Sequence, residues 1–156
     1  MPTDDRLGKD LRLLGDLRHQ AGRGRGSDLE TVTADTGQAD LAVLAGADNI
    51  AQALLLRMLT SNGELAGLGH PDYGSRLYEL IGELNTVTTR NRAKVYALQA
   101  LAGEPRVAQV ISLDVTAPDR STVLLSAVLK IIDADTPLNL VFPLSLAGGP
   151  AAAGGL

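Results

Sequence analysis

Cysteine and tryptophan are both absent from the 156 residues, and phenylalanine occurs once. Without thiols there is no disulfide framework and no thiolate metal site, and the redox compartment leaves no trace. Aromatic residues make up only 3% of the chain, so its core has to be built from Leu, Val, Ile and Ala. No apolar run approaches the roughly 20 residues of a membrane span. The opening stretch, MPTDDRLGKDLRLL, lacks the apolar core of a signal peptide. A formal charge of −4 gives no general pull toward nucleic acid or an anionic membrane. The expectation is a protein made and kept in the cytoplasm until it is assembled into something larger, with no nucleic-acid partner and no direct membrane insertion.

Recognisable chemistry is also scarce. The two histidines, His19 and His70, have no partners at metal-ligand spacing. His70 precedes Pro71 in a turn, a position that suits a surface corner better than a catalytic one. None of the serines sits in a Gly-x-Ser-x-Gly context. Glu64, Asp72 and Glu83 could in principle supply the two carboxylates of a glycosidase, yet sugar sites usually offer aromatic platforms and few are available. These acids read as solvated or helix-capping groups. GRGRG at 22–26 resembles a phosphate loop in composition only, because the Lys-Ser/Thr pair and the following helix are missing. No catalytic residue, cofactor or metal is expected.

What is present is a conventional share of hydrophobic residues, 45%, in a chain long enough for one domain. Residues 1–40 read as a short strand near KDLRLL followed by a flexible insert. Residues 41–146 read as a single domain, and 147–156 as a Gly/Ala tail. DNIAQALLLRMLT has Asp48 as a candidate N-cap ahead of Ile50, Ala51, Leu54, Leu55, Met58 and Leu59, an amphipathic helix. Ser75 is placed to cap a second, short helix with Leu77, Leu80, Ile81 and Leu84 inward. A third helix should begin among Thr86, Thr88 and Thr89 and bury Val95, Leu98, Leu101 and Ala102. Arg90, Arg92 and Lys94 crowd its start and oppose its dipole, a local conflict of the type found at binding surfaces.

From Val107 the period changes to two. VAQVISLDV and STVLLSAVLKIID, joined by TAPDR, predict an antiparallel hairpin. PLNLVFPLSL adds a third strand, in which Pro143 cannot donate to a ladder and so points to an edge position. The predicted fold class is α+β: about three helices packed on a small, mostly antiparallel sheet, with a C-terminal edge strand available to pair with another chain.

One junction carries more charge than a turn needs. Between the third helix and the first long strand stand Glu104, Pro105 and Arg106, where Gly, Asn or Ser would suffice. Pro105 restricts the backbone and so limits the entropy lost on docking. Arg106 offers a five-donor fork and Glu104 an acceptor. The two could pair with each other to tidy the turn, or meet polar groups of a partner.

Four stretches, in order, resemble the sheath-initiator family of contractile-tail baseplates, found in phage tails and related injection systems. They are LGKDLRL at 7–13, DNIAQALLLRMLTSNGEL at 48–65, HPDYGSRLYELIG at 70–82 and GEPRV at 103–107. The Glu-Pro-Arg corner is that family's hallmark. The resemblance implies an assembly role, with Glu104, Pro105 and Arg106 contacting the helical core bundle of baseplate wedge proteins. It also implies seeding of the first sheath ring by strand exchange. The C-terminal edge strand, with Leu138, Leu140, Val141, Phe142 and Leu144, is the candidate for pairing with sheath subunits. Several copies would stand around one baseplate, with inner-tube or hub proteins as further candidate neighbours. The family has often carried a lysozyme-like label. The competing expectations are therefore a tail-borne, peptidoglycan-degrading enzyme using Glu64 or Glu83, and a regulatory binding domain built on the same core.

Overall fold

The structure, a computed structural model, describes residues 6–17 and 29–148. His19, the GRGRG stretch and all but the first two residues of the Gly/Ala tail lie outside the described residues. The strands are β1 (Lys9–Leu11), β2 (Thr31–Thr33), β3 (Ala39–Leu41), β4 (Val43–Ala45), β5 (Val107–Thr116), β6 (Thr122–Ile131) and β7 (Leu138–Ser145). The helices are α1 (Gly46–Leu59) and α2 (Val87–Ala102).

The class is α+β, but the expected three helices on one sheet do not form. Two α-helices combine with three separate antiparallel sheets: β1 with β4, β2 with β3, and β5-β6-β7 in that order. The missing helix is the one predicted after Ser75. Leu77–Leu80 makes a single 3₁₀ turn, and Gly82, at φ 93°, turns the chain where a second helical turn would have to continue. Leu77 and Leu80 still reach the core, whereas Ile81 and Leu84 are exposed. The Ser75 hydroxyl donates to the Met58 carbonyl at 2.8 Å, and its oxygen accepts from the Leu77 backbone N–H at 3.4 Å at the start of that turn.

The main sheet is the predicted hairpin plus the predicted C-terminal strand. Alternation along β6 and β7 points Val123, Leu125, Leu129, Leu140, Phe142 and Leu144 inward, all buried. Burying such a side chain is worth about 1.5–3 kcal/mol. The apolar face of β7 is therefore used by the protein's own core, and only Leu138 on it is more than marginally accessible. Val141 points to the opposite side. β7 is one edge of this sheet and β5 the other. Cutting the chain after Asp135 would remove a core strand as well as an edge.

Helix α1 lies on the sheet through Ile50, Ala51, Leu54, Leu55 and Met58, all buried as their spacing predicted, while Leu59, expected on the same face, is exposed. Its first turn starts earlier than expected: Ala45 is the N-cap, and Asp48 sits in the first turn where its charge suits the dipole. Helix α2 is capped by Thr86, whose hydroxyl oxygen accepts from the Thr89 backbone N–H at 3.2 Å. Its buried side is Thr89, Ala93, Tyr96, Ala97, Ala100 and Leu101. Of the stripe predicted inward, only Leu101 is fully buried; Val95 and Ala102 face solvent. The alanines win the inner position because small side chains let the helix come close to its neighbours.

Candidate functional site

The charged corner is where four distant segments meet. Helix α2 ends at Ala102, and Gly103 and Glu104 turn the chain into β5. That turn swings the Glu104 side chain inward, where it is only 7% exposed. Its Oε1 accepts from Arg106 Nε at 2.6 Å and from the Arg106 backbone N–H at 3.3 Å. Its Oε2 faces the Arg57 guanidinium of α1 at 3.5 Å, and Arg57 is itself 11% exposed.

Each cation is held by a further contact. The Arg57 guanidinium lies over the Tyr73 ring, 4.4 Å from its centre, a cation–π geometry. Arg106 donates from Nη1 to the Leu7 carbonyl at 3.3 Å. The same carbonyl accepts from Asn49 Nδ2 at 2.9 Å. Leu7, Arg57, Tyr73 and the Glu104–Arg106 pair thus form one connected cluster.

Tyr73 reaches Arg57 because the loop between α1 and the 3₁₀ turn is closed at its neck. Ser75 N–H donates to the Thr60 carbonyl and Asn62 N–H to the Ser75 carbonyl, both at 2.9 Å. Gly74 permits that closure. Its φ is 105°, and an added Cβ would lie 2.6 Å from the Thr60 carbonyl oxygen. Only glycine fits here.

The electrostatics follow from the burial. Desolvation alone would push the Glu104 carboxyl up. The hydrogen bond from Arg106, then the charges of Arg106 and Arg57, outweigh it and hold the group below its ordinary value. Burial pushes the Tyr73 hydroxyl up, with Arg57 opposing. A carboxyl whose folded value is depressed contributes stability that is present above its unfolded value and lost as pH falls through the folded one. Unfolded Glu titrates near about 4.3, so wild-type stability should fall as acid is added below that point. Glu104→Gln should flatten this acid limb, measured as urea midpoint against pH; parallel wild-type and variant curves would contradict it.

Glu104 pairs inward with Arg106 and is almost wholly buried. Pro105 is exposed and Arg106 partly so, and these two are the part of the motif that a partner can reach. Arg57, Tyr73 and the Leu7 carbonyl were not foreseen as members. Arg57 did carry a signal, being the one cation inside the apolar run ALLLRML.

Among solved structures, a Geobacter sulfurreducens protein described provisionally as a tail lysozyme matches this chain with a TM-score of 0.59 and 23% identity. The match covers 69% of this chain and 97% of that one. The two share a fold. No family model matches, and neither does any curated protein.

On this shared fold the candidate glycosidase acids are engaged elsewhere. Glu64 is exposed and accepts from the Ser61 backbone N–H at 3.2 Å. Glu83 pairs with Arg92 and accepts from Thr89 Oγ1 at 3.4 Å. Its neighbour Glu79 accepts from Arg76 and from the Tyr96 hydroxyl. The Arg76 hydrogen bond holds Glu79 below its ordinary value. Asp72 contributes its backbone carbonyl to Asn62 at 3.3 Å. His70 is exposed in the same loop. The strand residues Leu140, Phe142 and Leu144 lie in the core, Leu138 at its margin, and Val141 is half-buried on the opposite side of the sheet.

Proposed function

We propose that the protein is a structural component of a contractile-tail or injection-system baseplate, one that docks on wedge proteins and helps start the sheath. One observation carries the reading. The four stretches that resemble the sheath-initiator family each place a group in the same cluster: Leu7, Arg57, Tyr73, and Glu104 with Arg106. Segments separated by up to 99 residues converge on the family's hallmark tripeptide. The shared fold with a tail protein supports the same assignment.

In this reading Glu104 is the internal anchor, and Pro105 with the outer side of Arg106 is the docking surface. The wedge partner would offer acceptors to the guanidinium donors that Glu104 and Leu7 do not use. Sheath pairing is assigned to β7. With its Leu and Phe side chains turned inward, such pairing would work through main-chain groups and the outward side of Val141.

Arg106→Ala tests the docking role. Arg57 still faces Glu104 in that variant, so the fold should survive with a modest loss of stability. Capture of co-expressed wedge proteins should be lost, since truncating one partner of a buried interface pair costs about 2–5 kcal/mol or more. A folded Arg106→Ala protein that captures wedge proteins as well as wild type would refute the assignment. The enzymatic reading has its own readout: clearing of peptidoglycan in a gel that Glu64→Gln or Glu83→Gln abolishes would replace the structural role with a catalytic one.

A further inference from the structure

Helix α2 has an outward side that its own fold leaves uncovered. At 3.6 residues per turn, Val87, Asn91, Val95, Leu98 and Ala102 fall within about 80° of the helix circumference. Val87 is 65% and Val95 50% exposed. Leu98, at the inner margin of the stripe, is half-buried against the core, and Ala102 is exposed. The stripe runs the length of the helix, about 22 Å. It ends beside Gly103 and the exposed Pro105. Leu84, 81% exposed, stands in the turn leading into its other end.

Cations flank this stripe on both sides, and α2 contains no acidic residue: its sequence is VTTRNRAKVYALQALA. Arg90 and Lys94 project along one margin, Arg92 along the other. Arg92 pairs with Glu83. Arg90 donates only to the backbone carbonyl and side-chain oxygen of Asn85, at 3.1 and 3.0 Å. Among the described residues neither Arg90 nor Lys94 has a carboxylate partner. Three cations within the first half of a helix work against its dipole. Within the fold Arg92 is offset by Glu83 and Tyr96, whereas Arg90 and Lys94 keep their charge without a carboxylate among the described residues.

We infer that the outward face of α2 docks an acidic amphipathic helix of a partner protein. The apolar stripe has helical spacing, and Ala102 and the two valines leave room for close approach by a second helix. The uncompensated cations at its margin specify glutamates or aspartates beside the partner's apolar residues. In a protein whose net charge is −4, this is a local reversal of sign. The inference concerns a surface distinct from the Glu104 cluster and holds whatever particle the protein belongs to.

The probe is a stapled peptide helix bearing a leucine stripe flanked by glutamates, with a lysine-flanked version as control, titrated by fluorescence anisotropy. The acidic probe should bind at least tenfold tighter than the basic one, with an affinity that falls as salt is raised. Val95→Glu and Lys94→Glu should each weaken it at least tenfold. Lys94 is exposed and has no hydrogen bond or ion pair among the described residues, so this variant keeps the test valid even if Val95→Glu folds poorly by circular dichroism. Equal binding of the two probes would overturn the inference, as would binding that neither variant weakens. So would self-association abolished by Val95→Glu, which would make a second copy the occupant. Capture by anionic phosphatidylserine vesicles but not by the acidic peptide would assign the face to a membrane and overturn it as well.

Discussion

Glu104→Ala is expected to cost about 3–5 kcal/mol of folding stability, the range seen when one partner of a buried ion pair is removed. The magnitude rests on what is left behind. Arg57 is 11% exposed, and its Nε is buried without a hydrogen-bond partner among the described residues. With Glu104 gone, its charge keeps only the face of Tyr73 to offset desolvation. Arg106 would lose both bonds to the carboxylate while still reaching Leu7. For a domain of this size the melting temperature should drop by about 10–15 °C. Glu104→Gln should lose less, because the amide oxygen can still accept from Arg106. A loss below about 1 kcal/mol for alanine, the level of a surface pair, would mean that the corner is solvated and that the cluster does not hold the fold.

Gly74→Ala should be comparably damaging by a steric route. The residue has φ 105°, where an L side chain is strained by about 1–3 kcal/mol. The new Cβ would also meet the Thr60 carbonyl at 2.6 Å and the Ser61 carbonyl at 2.8 Å, both backbone atoms that cannot swing away. Together these point to about 3 kcal/mol or more. Relief requires the neck of the 60–75 loop to open, and that would lift Tyr73 from Arg57. The expected signature is a lower urea midpoint combined with a changed tyrosine signal in near-ultraviolet circular dichroism. Gly67→Ala is the control. It lies in the same loop with nothing near its Cβ and no positive φ, so it should be close to neutral. Equal effects of the two substitutions would remove the steric explanation.

Legibility in the sequence tracked how far apart the interacting residues are. Helix α1, the β5–β6 hairpin and β7 were all readable, because each carries its own period of apolar residues. Strand β2 was not, because it is three residues long and exposed throughout, and such a strand leaves no alternation to detect. The segment after Ser75 has helical spacing at Leu77, Leu80, Ile81 and Leu84, but Gly82 breaks it, and periodicity alone does not weigh one glycine enough. The inner side of α2 was legible only in part: Leu101 is buried and Leu98 packs on the core, but Val95, which outranks Ala93, Ala97 and Ala100 in hydrophobicity, faces out. Packing against close neighbours reverses that order. At the corner, the tripeptide stood out and the charge of Arg106 could be read. That Glu104 is buried could not, since its second partner lies 47 residues earlier.

The Leu7 carbonyl, shared by Asn49 and Arg106, has a consequence for how the protein is made. Translation proceeds at about 5–20 residues per second. Arg106 is added 99 residues after Leu7, which is about 5–20 seconds later. Glu104 follows Arg57 by 47 residues, about 2–10 seconds. Over that interval the nascent chain can coil α1 and set Tyr73 against Arg57, but the guanidinium of Arg57 has no Glu104 carboxylate to meet. Strand β1 can already pair with β4 and bond the Gln52 side chain at that stage, so what waits for the corner is the second donor on the Leu7 carbonyl and the carboxylate that faces Arg57.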